Sequence, residues 1–414
     1  MKKRFSWLFK WLSPGLGIKR WIVFSGFGLF LIIWGVARFN FEELFLFKFL
    51  ALVVFITGVI IIILGINRLI RSFIKLFLPT SDKGLTEIIL QKRQLIRGPR
   101  IVAVGGGTGL SVLLEGLKKY TSNISAIVTV ADSGGSSGRL REQFDILPPG
   151  DIRNCLVALA DAPELMRKLF QFRFDKNSEF GDHNFGNLFI TVMTQLTGDF
   201  DKAIKESSKV LAIRGQVIPS TLNKVVLVAR YRDGSTVEGE ASIPKKHLPI
   251  ENVYLKSLDE NKLSPNIDAI KAIEQAQIIV LGPGSLYTSI IPNLLIEDIT
   301  NAIVKSEAIK VYVCNIMTQY GETDNYTAAV HLKKLIEHTH PELVEYCIVN
   351  TAPIPAQILK RYEKENSFPV VADIERIKAM GYRVIEEDLV KVTEFVRHDA
   401  DKLAQIILGL IEET

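Results

Sequence analysis

Residues 100–110 read RIVAVGGGTGL, an apolar run of β-strand character that ends in a cluster of glycines. We predict a strand over Arg100–Val104 and a helix over Leu110–Tyr120, with a tight turn between them. Glycines in such a turn let a ligand approach the backbone, and the helix start offers free N–H groups to an anion. A turn without a ligand is the alternative, which the density of glycines disfavours. The candidate ligand-binding residues of this turn are Gly105, Gly106, Gly107, Thr108 and Gly109.

Two common nucleotide-binding loops do not match this turn. The dinucleotide fingerprint GxGxxG fails because its third glycine, counted from Gly105, falls on Leu110. No GK[ST] sequence follows, so the turn is not the Walker A loop of ATPases either. The residues therefore favour an anion-binding turn that belongs to neither class.

Further strands alternate with helices along the chain, which is typical of a parallel sheet with helices on both faces. The predicted fold is a doubly wound, Rossmann-like α/β domain with a small β-hairpin insert, preceded by an all-α transmembrane hairpin. The two strands of the hairpin insert flank Asp233–Gly234. The predicted strands after the first are Ser125–Val130, Val225–Tyr231, Thr236–Ile243, Ile278–Leu281, Val311–Cys314 and Tyr346–Val349.

A second glycine- and serine-rich segment, Asp132–Arg139, follows the second predicted strand. Backbone N–H groups, hydroxyls and a guanidinium in one segment favour an oxyanion or phosphate pocket. A flexible surface loop is the alternative, but open α/β sheets bind their ligands at the carboxyl ends of strands. The candidates here are Asp132, Ser133, Gly134, Gly135, Ser136 and Arg139.

Two polar segments further along the chain are candidates for the same cleft. In the first, Asp151 either caps the helix that contains Cys155–Leu159 or forms a polar wall with its neighbours. In the second, His183 and Asn187 share a face if both are helical, which suits an acid or base, a metal ligand or a core pair. The candidates from both segments are Asp151, Arg153, Asn154, His183, Asn184 and Asn187.

A third strand–turn–helix sequence, GPGSLYTS, covers residues 282–289. Its glycines again follow a predicted strand and precede a helix, so the same reasoning predicts an anion site. Polar residues also follow the strand Val311–Cys314. The candidates from these two segments are Gly282, Gly284, Ser285, Asn315 and Thr318.

Two uncharged apolar runs near the N-terminus, Trp21–Ala37 and Phe49–Ile66, predict a transmembrane hairpin. Each is at the short end of the roughly 17–25 residues that span a bilayer. A cleaved signal peptide is disfavoured because no small-residue cleavage site follows the first run. A buried core helix is disfavoured because nothing nearby could cover a helix that is apolar all round.

The cations around these runs predict the orientation of the hairpin. Lysine and arginine are frequent before the first run and after the second, so both termini and the main domain are expected in the cytoplasm, at the inner membrane. The net charge of +5 is explained by these flanks, and nucleic acid is not an expected partner. We divide the chain into a basic tail (1–20), the hairpin (21–66), a linker (67–98) and the ligand-binding domain (99–414).

The three cysteines, Cys155, Cys314 and Cys347, form no CxxC pair. Their spacing suits reduced thiols in the cytosol and predicts neither a disulfide framework nor a zinc site.

Seven motifs in order then resemble one family over roughly Pro99–Ile407: VAVGGGTGLSVLLEGLK, VTVADSGGSSGRLR, PPGDIRNCLVALAD, HNFGNL, IVLGPGSLYTSIIPNLL, VYVCNIMTQYGETDNYT and RHDADKLA. They resemble the YvcK-type gluconeogenesis factors, within the wider family of 2-phospho-L-lactate transferase (CofD). The resemblance implies a Rossmann-like core that binds a UDP-sugar, in particular UDP-N-acetylglucosamine. It also implies a role linking carbon supply in gluconeogenic growth to cell-wall precursors and cell shape.

Two residues gain a role only through this resemblance. Tyr362 matches a family position that could stack on a uracil base, and Arg397 matches one that could hold the pyrophosphate. Many family members are wholly soluble, so the N-terminal hairpin departs from the family pattern. We also expect a protein partner in cell-wall precursor synthesis and an oligomer of identical chains.

Three functions remain open on the sequence. The leading hypothesis is a membrane-tethered, non-catalytic UDP-sugar sensor, with no certain cofactor. The alternative is a transferase that moves a phospholactyl group from a nucleotide donor. In that case Asp132, Asp151 and His183 would bind Mg²⁺ or activate the acceptor. The sensor is favoured because no aromatic cluster beside the glycine turns is evident to bind a flavin-like acceptor. A NAD(P) enzyme is the weakest of the three hypotheses.

Overall fold

In the computed structural model of the chain, the described residues are 18–41, 44–77, 85–259, 262–392 and 395–412. The chain divides into two compact units, with the boundary between Lys92 and Arg93. Each unit is described by itself. Helices α1 (Ile18–Phe41) and α2 (Phe45–Phe77) lie in the first unit, and helix α3 (Leu85–Arg97) crosses the boundary.

Helices α1 and α2 pack along each other through small residues. A Cβ atom added to Gly28 would lie 2.9 Å from the carbonyl oxygen of Gly58, and one added to Gly35 would lie 3.0 Å from that of Ala51. Such close backbone approach is typical of helix pairs in membranes. By length and composition, Arg20–Phe41 and Phe45–Ile70 could each cross a membrane.

The second unit contains a sheet of seven parallel strands in the order β10-β9-β8-β7-β1-β2-β3. Its strands are β1 (Ile101–Gly105), β2 (Ile124–Val128), β3 (Gln216–Pro219), β7 (Ile278–Leu281), β8 (Ile309–Val313), β9 (Tyr346–Asn350) and β10 (Arg383–Glu387). The predicted doubly wound α/β fold is confirmed. Strands β3 and β10 were missed because each is a short edge strand with exposed residues among its apolar ones.

Successive residues of the central strands alternate between two cores. Ile101 and Ala103 belong to one buried cluster, whereas Val102 and Val104 belong to the other. Helices cover both faces: α4 (Gly107–Leu117), α5 (Gly135–Phe144), α6 (Gly150–Leu159), α7 (Glu164–Gln171), α8 (Phe185–Thr197), α9 (Phe200–Leu211), α10 (Ile267–Glu274), α11 (Ile291–Leu294), α12 (Glu297–Lys305), α13 (Ala328–Glu337), α14 (Ala356–Glu363), α15 (Ile374–Ala379) and α16 (Ala400–Glu412).

The predicted hairpin insert is present and gains a third strand. Strand β4 (Val225–Tyr231) pairs antiparallel with both β5 (Thr236–Glu238) and β6 (Ile250–Ser257). Strand β5 is shorter than predicted, because the chain turns at Gly239, whose φ of 94° favours glycine. A separate antiparallel pair joins β11 (Val390–Val392) to β12 (Val396–His398).

The packing of α1 against α2 predicts unequal effects at two nearby glycines. Gly28→Leu should destabilise the hairpin by about 1–3 kcal/mol, the usual cost of overpacking, because a side chain there meets Ile62 and the backbone of Gly58. Gly26→Leu is the matched control, because nothing lies within 4 Å of its added Cβ. Thermal unfolding in detergent can be followed by fluorescence of the four tryptophans, which all lie in residues 7–34. Equal destabilisation by both substitutions would contradict the packing.

Candidate functional site

The strand order reverses between β1 and β7, which are neighbours in the sheet although they are far apart in the chain. Ligands of open α/β sheets bind outside the carboxyl ends of the strands at such a switch point. Two of the predicted glycine turns, Gly105–Gly109 and Gly282–Ser285, follow these two strands. The fold therefore brings them together.

The two turns touch through Gly109. A Cβ atom added there would lie 2.5 Å from the carbonyl oxygen of Pro283, closer than real Cβ contacts. Asn315, after β8, holds the second turn by accepting from the N–H of Gly284 at 3.1 Å and donating to its carbonyl at 2.8 Å. Gly109 is therefore needed for the contact between the two turns. The backbone N–H of Gly284 is not free for a ligand, because it already donates to Asn315.

The backbone of the first turn also binds a carboxyl group of the protein itself, that of Asp151. The carboxylate of Asp151 accepts a hydrogen bond from the backbone N–H of Gly107. A Cβ added to Gly106 would lie 2.5 Å from Asp151 Oδ2, so Gly106 makes room for this side chain. Gly107 has a φ of 64°, which favours glycine. Gly105, by contrast, lies in β1 against Leu110 and contacts the core.

Of the two alternatives for Asp151, capping of the helix is wrong. Helix α6 begins at Gly150, Pro149 stands at its N-cap position, and no side chain caps it. Asp151 lies within the first turn of α6 and turns toward the glycine turn after β1.

A cavity of about 410 Å³ opens beside the two glycine turns. It is lined by eight of the sequence-predicted residues, which come from five separate segments: Thr108, Gly109, Gly284, Ser285, Asn315, Thr318, Tyr362 and Arg397. Five further lining residues were not among the predicted site residues: Met317, Gln319, Ser367, Phe395 and His398. Met317, Gln319 and His398 lie within two of the seven family motifs, which did not single them out, whereas Ser367 and Phe395 lie in none of those motifs.

Aromatic and cationic side chains form one wall of this cavity. The hydroxyl of Tyr362 accepts a hydrogen bond from the N–H of Val396 at 2.9 Å, which ties α14 to β12. The guanidinium carbon of Arg397 lies 6.0 Å from the ring centroid of Phe395, and that of Arg361 lies 5.0 Å from it. The wall can therefore offer a ring face and a positive charge to one ligand.

His398 anchors this wall to the sheet. Its Nε2 donates to the carbonyl oxygen of Cys314 at 3.2 Å, at the end of β8. Burial lowers the pKa of His398 to about 4, so the ring is neutral at physiological pH.

Three carboxyl groups lie near one another: Asp151, which contacts the first glycine turn, Asp132 and Glu240. Burial and the neighbouring Asp132 raise the pKa of Asp151 to about 7. Burial, Asp132 and Asp151 raise the pKa of Glu240 to about 8. Glu240 comes from the antiparallel insert and was missed, since nothing local in its sequence marks it. Among the described residues, no group of three or more His, Cys, Asp or Glu side chains is arranged to hold a metal ion.

The loop after β2 docks onto the antiparallel insert. Asp132 accepts from the N–H of Gly134 at 2.8 Å, and the hydroxyl of Ser133 accepts from the N–H of Ala241 at 3.2 Å. The backbone N–H of Ser133 donates to the Glu240 carboxylate. Helix α5 begins at Gly135, so Ser136 and Arg139 are helical and the predicted nest is confined to the loop before them.

Ser136 joins two predicted residues from the fourth segment. Its hydroxyl lies 3.1 Å from His183 Nδ1 and accepts from Asn187 Nδ2 at 3.2 Å. His183 lies outside helix α8, which begins after the N-cap residue Asn184, so the two do not share a helical face. They meet at Ser136 instead. Burial, followed by the charge of Arg139, lowers the pKa of His183.

The two predicted arginines of this region contact protein groups. Arg139 donates to the carbonyl of Gly181 at 2.7 Å, and Arg153 donates to the side chain of Asn154 at 2.6 Å. Burial, followed by Arg173, lowers the pKa of Arg153 to about 10. Gly135 carries a φ of 48°, and its added Cβ would meet nothing within 4 Å.

A larger cavity, of about 530 Å³, opens at the opposite edge of the sheet. It is lined by Arg100, Asn123 and Gln216, at the amino ends of β1, β2 and β3, and by Lys271 of α10. We place the candidate site at the smaller cavity, because parallel sheets bind ligands at the carboxyl ends of their strands. The larger cavity contains no sequence-predicted site residue.

The fold and cleft are those of a doubly wound α/β protein with a ligand site at its strand switch point. The profile of the family described as 2-phospho-L-lactate transferase CofD matches residues 101–390. A putative gluconeogenesis factor of Nostoc sp. is 45% identical over 422 residues, covering 97% of this chain and 92% of that protein. The gluconeogenesis factor of Bacillus subtilis is 48% identical over 316 residues, covering 76% of this chain and 99% of that protein.

A crystal structure of a member of the UPF0052 family from Bacillus halodurans agrees with these relatives. It superposes with a TM-score of 0.73 at 46% identity, covering 76% of this chain and 99% of that one. The chain belongs to the 2-phospho-L-lactate transferase CofD family. Within that family, its similarity to the two gluconeogenesis factors described above confirms the family predicted from the seven motifs.

The raised pKa of Asp151 predicts a pH-dependent stability. The folded state keeps a proton that the unfolded chain, with a pKa of 3.8, releases. This contribution to the free energy of unfolding is complete below about pH 4 and is lost as the pH rises through 7. We expect Asp151→Asn to flatten the fall in urea midpoint between pH 5 and pH 7.5, measured by circular dichroism. Asp298→Asn, at an exposed acid of α12, is the control and should leave the slope unchanged.

Proposed function

We propose that this protein binds a nucleotide sugar, in particular UDP-N-acetylglucosamine, and acts as a membrane-anchored regulator. The observation that carries the proposal is the cavity at the β1/β7 switch point, where two glycine turns, an aromatic ring and Arg397 converge. The family resemblance supports the same ligand class. A nucleotide sugar needs a surface for its base, cations and N–H groups for its pyrophosphate, and polar groups for its hydroxyls.

The residues around the cavity suit each part of such a ligand. The base stacks on the wall of Tyr362 and Phe395, and the pyrophosphate lies between Arg397 and the start of α4 at Thr108. The sugar then extends toward the carboxyl group beside Gly107. Carboxylates and amides accept hydrogen bonds from sugar hydroxyls, and Asp151 and Asn187 supply both kinds of acceptor.

The regulatory role follows from this ligand and from the names of the relatives. A protein that senses a cell-wall precursor can match its synthesis to carbon supply during gluconeogenic growth. In that role the ligand changes contacts with a protein partner of precursor synthesis, and through it cell shape.

A specific observation supports a second candidate, a phospholactyl transferase. Asp132 lies close enough to raise the pKa of both Asp151 and Glu240, and Asp151 also raises the pKa of Glu240. Hard oxygen ligands of this kind suit Mg²⁺, which phosphoryl transfer commonly uses. Their present arrangement does not form a metal group, so we assign no step to a cation. The aromatic cluster Phe172, Phe174 and Phe180, near His183, also weakens the sequence argument against an acceptor site.

Membrane anchoring is the other part of the proposal. It rests on the length and apolarity of α1 and α2, on their small-residue contacts, and on the flanking cations. We place both ends of the hairpin, and with them the ligand-binding domain, in the cytoplasm at the inner membrane. The site would then face the pool of cytoplasmic nucleotide sugars.

Arg397→Ala tests the ligand assignment. Loss of a charge-assisted contact with phosphate should weaken binding of UDP-N-acetylglucosamine by about 10- to 100-fold, from about 1.5–3 kcal/mol. The measurement is isothermal titration of the full chain in detergent. Arg230→Ala, at an exposed arginine paired with Glu251 on the insert, is the control and should leave affinity unchanged. Wild-type binding by the Arg397 variant would remove this residue from the site.

The same titration decides between ligand classes. The proposal fails if UDP-N-acetylglucosamine does not bind the wild-type chain while a guanine nucleotide or NAD does. Release of a phospholactyl product from a guanine donor with Mg²⁺ would favour the transferase instead.

The orientation of the anchor predicts unequal labelling of two single substitutions. Glu43→Cys, between Phe41 and Phe45 in the sequence, should react with an impermeant maleimide in intact cells. Glu412→Cys, near the end of α16, should react only after the cells are opened. The three natural cysteines are buried and should give little background. The reverse pattern would refute the predicted topology.

A further inference from the structure

Gln319 lines the switch-point cavity, and its side-chain amide is held by a buried carboxyl group. The Nε2 of Gln319 donates to Oε1 of Glu322 at 2.6 Å. Glu322 is buried and does not line the cavity, so the NH₂ group of the amide is already used inside the protein. Among the described residues none donates to the carbonyl oxygen of the amide, and that oxygen is not enclosed by protein.

The carboxyl group of Glu322 is surrounded by donors. Besides Gln319, the hydroxyl of Thr288 lies 3.1 and 3.3 Å from its two oxygens, and the backbone N–H of Tyr287 donates to it. Burial raises the pKa of Glu322 to about 7, so above that pH the group is ionised and can only accept. The amide of Gln319 must therefore turn its NH₂ group toward Glu322 and its carbonyl oxygen away from it.

The backbone of Gln319 is held as firmly as its side chain. Its N–H donates to the hydroxyl of Thr323 at 2.9 Å. Its backbone carbonyl oxygen accepts from the N–H groups of Glu322 at 3.0 Å and Thr323 at 2.9 Å. The direction of the side-chain carbonyl oxygen is thus fixed from both ends of the residue.

The neighbouring residue Thr318 connects Gln319 to the aromatic wall of the cavity. The N–H of Thr318 donates to the carbonyl oxygen of Phe368 at 2.7 Å, and its hydroxyl accepts from the N–H of Phe368 at 2.9 Å. Ser367, the residue before Phe368, donates from its N–H to the carbonyl oxygen of Tyr362 at 3.0 Å. A base that stacks on Tyr362 therefore has the amide of Gln319 beside it in the same cavity.

Nucleotide bases differ in the ring nitrogen at the middle of their pairing edge. In uracil and guanine this nitrogen carries a hydrogen and donates, whereas in cytosine and adenine it has a lone pair and accepts. Proteins read an unpaired base by hydrogen bonds to this edge while the ring stacks on an aromatic side chain. A carbonyl oxygen with a fixed direction accepts from the first two bases, but with the other two it leaves acceptor facing acceptor.

We propose that Gln319 is a specificity-determining residue, whose side-chain carbonyl oxygen accepts the ring N–H of a uracil or guanine base. Glu322 is the positioning residue that keeps this oxygen directed at the ligand. The inference rests on the proposed nucleotide ligand of the cavity and adds the class of base that the cavity selects. That class includes uridine and guanosine nucleotides and excludes cytidine and adenosine nucleotides, NAD among them.

Two nucleotide sugars that differ only in the base test the role of Gln319. The full chain in detergent is titrated calorimetrically at pH 8, where Glu322 is ionised, with UDP-N-acetylglucosamine and its cytidine counterpart. The wild-type chain should prefer the uridine ligand by about 10- to 100-fold, because the cytosine nitrogen would be left facing an acceptor. Gln319→Met has a similar length but no acceptor, and should reduce the preference to less than about threefold.

The matched control is Gln275→Met, at an exposed glutamine of the cavity at the opposite edge of the sheet, which should keep the wild-type preference. A preference in Gln319→Met as large as in the wild-type chain would overturn the inference.

A second pair of ligands, GDP and ADP, separates this inference from the ligand assignment. If UDP-N-acetylglucosamine does not bind, but GDP binds more tightly than ADP and Gln319→Met removes the difference, the proposed function fails and the role of Gln319 stands. If the uridine and cytidine sugars bind the wild-type chain equally well, the role of Gln319 fails and the proposed function stands. Tighter binding of ADP than of the other ligands refutes both.

The positioning role of Glu322 is measured by base preference rather than by affinity. Glu322→Leu frees the amide to rotate, so the preference for uridine should fall below about threefold while the far-ultraviolet circular dichroism stays unchanged. Thr288→Val removes another partner of Glu322 but leaves the contact with Gln319, and should keep the wild-type preference. Full preference in a folded Glu322→Leu variant contradicts the positioning role. Gln319→Met leaves Glu322 in place, so it decides the base-reading role even where Glu322→Leu does not fold.

Discussion

The close approach of two glycine turns is the constraint on which the candidate site depends. Strands β1 and β7 are neighbours in the sheet, so the turns that follow them lie next to each other at the same edge. A Cβ at position 109 would come within 2.5 Å of the Pro283 carbonyl oxygen, and Asn315 holds Gly284 from the far side. The absence of a side chain at Gly109 therefore lets the two turns come into contact at the switch point.

Electrostatics distinguish the cleft from the group of carboxyls near it. In the cleft, Arg397 and the start of α4 offer positive charge and N–H groups to an anion. Beside the first glycine turn, Asp151 lies near Asp132 and Glu240, and burial together with these neighbouring charges raises the pKa of Asp151 and Glu240. A ligand with a pyrophosphate at one end and hydroxyls at the other matches this division. A ligand with anions at both ends would meet repulsion unless the carboxyl groups are protonated or neutralised by a cation.

Local sequence patterns predicted the strands whose formation depends on residues that are close together in the chain. Strands β4 and β7 have their predicted bounds, and β1, β2, β8 and β9 differ by only a few residues. The strand β6 was missed, because the polar residues of Ile250–Ser257 interrupt its alternation. The condition that would put His183 and Asn187 on one helical face is not met, because the N-cap of α8 is Asn184 and the helix begins one residue later.

By itself, the sequence determined the α/β class, the two apolar helices and the glycine turns at the strand ends. Each of these depends on residues that are neighbours in the chain. Only the tertiary structure decided which turns meet, that Asp151 contacts the first turn, that Glu240 lies near Asp132 and Asp151, and that Phe395 and His398 line the cleft. Glu240 comes from the insert, and Phe395 and His398 come from the C-terminal strands; no local pattern in the sequence brings these segments together. Their placement follows from sheet order and side-chain packing, which act between segments far apart in the sequence.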